Sequence, residues 1–186
     1  MWLSAQIRKD IKKKFRVYYE QGYRRDENLN HLKAYYFEAG GRYKPAKFLW
    51  IGTHYRHYTD FLGNYKNRLG GSVIFRAEID RFLFKSRTRY IAIKERHEVT
   101  HHFLREKISL DYNIKNCKVD PFIASELFYH LEKPNSDFEQ FRVDLGFEWK
   151  IAKRHSLQTY YRYRIKRNIK NPLNSNVIGI EYVLEL

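Results

Sequence analysis

The chain has 186 residues, enough for one domain, and its single Cys117 excludes a disulfide framework. No apolar run approaches the roughly 18 residues of a membrane-spanning helix. Its 36 Lys and Arg against 21 Asp and Glu give a formal charge of +15. Those charges alternate along segments or sit in turns instead of gathering on one face, so no nucleic-acid partner is expected.

Eleven segments alternate apolar and polar residues with the two-residue period of a strand. They run over roughly 2–11, 14–25, 32–44, 47–59, 67–80, 82–96, 101–114, 120–132, 137–151, 155–167 and 176–186. The second presents Phe15, Val17, Tyr19 and Tyr23 on one face and Arg16, Glu20, Gly22 and Arg24 on the other. The third sets Tyr35, Phe37 and Tyr43 against Glu38, Gly40 and Arg42. The fifth sets Val73, Phe75, Ala77 and Ile79 against Arg76, Glu78 and Asp80, and the sixth adds Lys85, Arg87 and Arg89 to the polar face.

In the seventh, Leu104, Ile108, Leu110 and Tyr112 oppose Arg105, Lys107 and Asp111, which leaves Glu106 on the apolar side, near a rim. The eighth contributes Glu126 and His130. The ninth is the clearest: Phe141, Val143, Leu145, Phe147, Trp149 and Ile151 oppose Arg142, Asp144, Gly146, Glu148 and Lys150. The tenth adds Arg162, Arg164 and Lys166, and the last adds Glu181.

Short connections, such as Lys12-Lys13-Lys14, Pro45-Ala46 and Asp80-Arg81, alternate with longer ones at Asp26–His31, Asp60–Lys66, His97–Thr100, Lys133–Ser136 and Asn168–Ser175. Short turns on one rim and longer loops on the other, apolar outside and polar inside, describe an antiparallel up-and-down transmembrane β-barrel. The expectation is one domain over 1–186, about 10–12 strands, and a polar, Arg-rich lumen. Eleven strands would leave the first and last parallel where the barrel closes, whereas bacterial single-chain barrels use even numbers. Twelve are therefore expected if a further segment exists. The expected location is the cell outer membrane, with lipid as the main partner, other envelope proteins as further candidates, and a monomeric state.

The predicted lumen network comprises Arg16, Glu20, Arg42, Glu38, Arg76, Glu78, Arg87, Arg89, Arg105, Glu126, Arg142, Asp144, Glu148, Arg162, Arg164 and Glu181. Buried charges need partners, so cross-lumen ion pairs that fill the barrel are one reading. A wet, net-positive pore is the other. Neutralising Glu148 is expected to destabilise the barrel or change its ion selectivity. On the lipid side, Tyr19, Tyr43, Phe141, Phe147, Trp149 and Tyr182 are read as wall or girdle residues, with Tyr58 and Tyr112 near strand ends.

Catalytic and metal chemistry finds little support. His54 and His57 fall on opposite faces of a strand, and the neighbours His101 and His102 diverge, so no metal site is expected. His155 and Ser156 are adjacent and point apart, a poor start for a serine hydrolase. Gly40-Gly41 and Gly70-Gly71 lie in strands, where they allow curvature or packing under a ring rather than phosphate binding. No catalytic residue and no cofactor is expected. The expected role is structural, narrow permeation or binding of an envelope partner, and two alternatives stand beside it: a soluble β-barrel carrying an apolar ligand, and an outer-membrane lipid hydrolase.

Several short motifs together carry a family resemblance: Trp2-Leu3-Ser4-Ala5, Tyr55-Arg56-His57-Tyr58, Arg87-Thr88-Arg89-Tyr90, the stretch from Pro121 to Phe128, and Ile178-Gly179-Ile180-Glu181-Tyr182. With them the chain resembles an uncharacterised outer-membrane β-barrel family of Gram-negative bacteria, a domain of unknown function. The resemblance implies an outer-membrane barrel and brings no activity or catalytic residue. Because no secretory signal opens the sequence, it reads as a mature form with Met1 added.

Overall fold

The computed structural model describes residues 1–25, 32–96, 98–132, 137–167 and 173–186. Eleven strands follow one another: β1 (Trp2–Ile11), β2 (Phe15–Arg25), β3 (Leu32–Ala46), β4 (Leu49–Asp60), β5 (Tyr65–Ile79), β6 (Phe82–Glu95), β7 (Thr100–Tyr112), β8 (Val119–His130), β9 (Asp137–Ala152), β10 (His155–Lys166) and β11 (Leu173–Glu185). Each pairs antiparallel with its neighbours in sequence, and β1 closes the barrel against β11.

That closure is parallel, in register from Trp2↔Gly179 to Arg8↔Glu185. Among the described residues the count is thus eleven, inside the expected range of 10–12, with the parallel closure that an odd number requires. Parallel pairing is slightly weaker per residue than antiparallel pairing. Side-chain contact reinforces this seam: Arg8 Nε lies 3.4 Å from a Glu185 carboxylate oxygen.

Turn chemistry explains the short rim. Lys12 and Lys13 take left-handed φ values of 51° and 60°, and Asp80 takes 52°, which suits tight connections between twisted strands. The connection after β3 lies at 47–48, so Pro45 and Ala46 belong to the strand and not to the turn. Opposite, Asp60 Oδ1 accepts from the amides of Leu62 and Asn64, both at 2.9 Å, around Gly63 at φ 78°. The longer connections read at Asp26–His31, His97–Thr100, Lys133–Ser136 and Asn168–Ser175 lie wholly or partly outside the described residues.

The pleat sends apolar side chains outward. Leu69 and Ile178 are 63% and 61% exposed, and Val17, Phe75, Ile123, Leu145 and Phe147 stand out beside them. In water so continuous an apolar wall would be an aggregation surface, whereas in lipid it is the solvated face. Among the described residues no helix is long and apolar enough to cross a membrane; the strands do the crossing.

Aromatic rings mark both ends of this wall. Phe15 and Tyr43 meet at 4.9 Å, Phe82 and Tyr112 at 4.9 Å, and Phe147 and Trp149 at 6.2 Å, near the short turns. Near the longer loops, Tyr90 Oη is 2.6 Å from His102 Nδ1, and Tyr161 donates to Asn176 at 2.7 Å. These pairings give each outward phenol a polar partner. Tyr19 projects outward from the middle of β2, on the lipid-facing wall.

Glu106 also departs from expectation. It faces outward at the middle of β7, not near a rim. Its carboxylate accepts from Ser86 Oγ at 2.7 Å and from the Thr88 hydroxyl, both on β6. Those donors replace the water that hydrocarbon cannot supply.

Candidate functional site

The inward residues enclose a cavity of about 520 Å³, on whose wall Arg and Lys outnumber Asp and Glu. Three carboxylates organise the surrounding cations. Glu126 on β8 accepts from Arg105 Nε at 2.5 Å and Arg142 at 3.3 Å, with Arg87 at 3.6 Å. Asp144 on β9 takes a two-pronged contact from Arg162 at 2.6 and 2.7 Å, with Lys107 at 3.8 Å. Glu38 on β3 accepts from Arg56 at 2.7 Å and Tyr18 Oη at 2.9 Å, with Arg89 at 3.8 Å. Glu38, Glu126, Asp144, Arg89 and Arg162 are all buried. Two-pronged guanidinium contacts and shared carboxylates are the geometries that offset desolvation best.

Aromatic faces back several of these guanidinium groups and also hold Arg24. Trp2 points into the lumen, with Arg24 at 4.4 Å and Arg162 at 4.8 Å from its ring. Arg56 lies 4.1 Å from the Tyr36 ring, and Arg142 lies 4.3 Å from Phe128. Such contacts fix a cation's position without neutralising it.

Glu20 accepts from Tyr36 Oη at 2.6 Å and sits 3.5 Å from Arg56. Arg42 rests on the Tyr18 ring at 4.7 Å, and Arg164 donates to Ser175 at 2.8 Å. Glu181 lines the cavity without an ion pair among the described residues. Arg16 pairs with Asp10, and Arg76 with Glu78, towards the short-turn rim and away from the central cluster. Glu148 faces inward between Asp120 and Gln158 but makes no ion pair among the described residues. Glu126, by contrast, bridges three guanidinium groups.

On the wall, Tyr43, Phe141, Phe147, Trp149 and Tyr182 all face outward. Tyr58 does not: it points into the lumen, 5.2 Å from Arg24. Arg56, Arg68, Tyr18, Tyr36 and Trp2 also face the lumen, outside the predicted network. Parity would have placed all five, since each is an even-numbered neighbour of an assigned inward residue on its own or an adjacent strand. An aromatic ring on the polar face simply resembles a lipid-facing one.

Arg68 has neither a hydrogen bond nor an ion pair among the described residues, and its Nε is shielded from solvent. Among the described residues Arg24 is held by its aromatic neighbours alone. Both line the cavity.

His54 is buried inside while His57 stacks outside on Phe37, so those two diverge as expected. His155 meets Tyr182 Oη on the outer wall at 2.5 Å. Ser156, one residue on, takes the opposite face, and the two form no dyad. His101 and His102 diverge as well, but His101 meets His130 and Glu132, which adjacency in sequence does not reveal. Against a desolvation penalty, hydrogen bonds from His101 and the His102 amide hold the Glu132 carboxyl below its ordinary value. Gly40 lies under the Tyr18 ring, whereas Gly41 faces open space.

No curated protein matches this sequence. Among solved structures, the chain is similar to a bacterial polysaccharide outer membrane secretin, with a TM-score of 0.64 over 91% of this chain at 7% identity. It spans 64% of that secretin chain. It is also similar to the KdgM porin, alone and in complex with disordered oligogalacturonate: TM-score 0.55, 15% identity, covering 93% of this chain and 86% of the porin. These likenesses are of fold, that of a transmembrane β-barrel of the outer-membrane type. Residues 1–175 match the family described as protein of unknown function (DUF2490), and the chain belongs to that family.

Proposed function

We propose that this barrel is a narrow outer-membrane pore that favours small anionic solutes, working as a single chain because its own strands close it. The observation that carries the reading is Arg68, a lumen guanidinium without a protein partner among the described residues, beside Arg24, which is held only by rings. A lumen filled for structural reasons alone would pair its cations. Here Glu126, Asp144 and Glu38 position one set of cations, and a second set stays available to a solute's carboxylate, sulfate or phosphate. The porin neighbour whose structure contains oligogalacturonate, a chain of sugar acids, fits the same chemistry.

Planar-bilayer recording under a KCl gradient tests the reading. The expected result is discrete conductance with a reversal potential displaced towards that of chloride. Arg24→Glu with Arg68→Glu should remove most of that displacement. Silence of the folded protein would leave a closed structural barrel, and cation preference in the unmodified protein would overturn the assignment of sign.

A further inference from the structure

We propose that His101, His130 and Glu132 form a binding site for a divalent transition-metal ion of the zinc class at the longer-loop mouth of the lumen. Their ligand atoms all lie within 4.8 Å of one another. His101 Nδ1 is 2.9 Å from Glu132 Oε2, and His130 Nε2 is 3.4 Å from the same oxygen. An ion about 2.1 Å from each ligand sets neighbouring ligand atoms roughly 3.0–3.4 Å apart, in octahedral or tetrahedral geometry. The two carboxylate–imidazole separations fall close to that range, and the two imidazole nitrogens lie within 4.8 Å of each other.

A plain carboxylate–imidazole hydrogen bond accounts for His101 but not for His130. His130 Nε2 is shielded from solvent and makes no hydrogen bond among the described residues. At 3.4 Å from Glu132 Oε2 the contact lacks hydrogen-bond geometry, and that oxygen already meets His101, so the His130 nitrogen keeps a ligand position that the carboxylate does not fill.

The frame around the ligands is already set. Glu132 Oε1 accepts from the His102 amide at 3.0 Å, which orients the carboxylate. The His130 ring stacks on Phe103 at 4.8 Å. The ladder continues past β8 through the Leu131 amide to the His102 carbonyl at 2.9 Å, so both histidines and the glutamate ride on one strand pair. Two imidazoles and one carboxylate leave at least one coordination position open for water or an anion. The site stands whether or not the lumen conducts.

The test is titration of the untagged, metal-stripped protein in zwitterionic detergent with Co2+, followed by visible absorption and then by Zn2+ competition. One equivalent of Co2+ should bind and be displaced by Zn2+. His130→Phe, which keeps the stack on Phe103, should weaken binding at least about tenfold, and Glu132→Gln should do so independently should the first variant fail to fold. His102→Gln leaves the backbone donor in place and should bind as the unmodified protein does. Absence of stoichiometric uptake, or equal affinity in all variants, would overturn the site.

Discussion

Replacing Glu126 with Gln is expected to lower the unfolding free energy by about 3 kcal/mol, the cost of leaving buried cations without their counter-charge. Glu126 is 2% exposed and is shared by Arg105, Arg142 and Arg87. An amide keeps the shape but offers one acceptor oxygen and no charge, so three guanidinium groups then repel across a confined space. Urea unfolding in lipid vesicles, read by unheated gel mobility, measures the loss. Glu148→Gln, which removes no ion pair, should change stability by no more than about 0.5 kcal/mol. Equal losses in the two variants would mean that net lumen charge matters and the three-way bridge does not.

Gly146→Ala is expected to cost a comparable amount, about 3 kcal/mol, at the upper end for overpacking a dense site. A Cβ there would stand 2.3 Å from the Thr159 carbonyl oxygen, 2.8 Å from the Phe122 ring and 2.8 Å from Tyr160 Cβ. The first and last of these belong to or adjoin a neighbouring backbone, so relief requires β9 and β10 to move apart. Gly41→Ala is the matched control, since nothing lies within 4 Å of its Cβ position. Its methyl would enter the lipid face, and its stability should stay within about 0.5 kcal/mol of the parent. Thermal unfolding of the two variants in detergent decides whether close approach, and not loss of glycine as such, sets the effect.

Much of this architecture is legible from alternation alone. All eleven strands lie within three residues of where period-two patterning puts them, because one-sided burial leaves a strand little freedom of register. The outward placement of Phe141, Phe147 and Trp149 follows for the same reason. What alternation cannot convey is contact across the lumen or between strands. That Trp2 on β1 faces Arg142 and Arg162 depends on closure, and closure depends on how β1 meets β11. Tyr18, Tyr36 and Tyr58 escaped because a phenol satisfies either face: its body suits lipid and its hydroxyl suits a lumen carboxylate. His101 with His130 was hidden by the 29 positions of sequence between two residues that neighbouring strands bring together. Arg68 drew no notice because a missing partner leaves no mark in a sequence.

The apolar face meets lipid and the charged face encloses the lumen. Of the three tryptophans, Trp149 faces out, while Trp2 and Trp50 stack with lumen-side cations. The most direct test is fluorescence of the Trp2→Phe, Trp50→Phe variant in vesicles whose acyl chains carry bromine. Strong quenching of Trp149, with weak quenching when Trp2 is the one tryptophan kept, is the predicted result. Quenching of Trp2 with Trp149 untouched, or a monodisperse protein in buffer without detergent, would turn the barrel inside out and contradict the account.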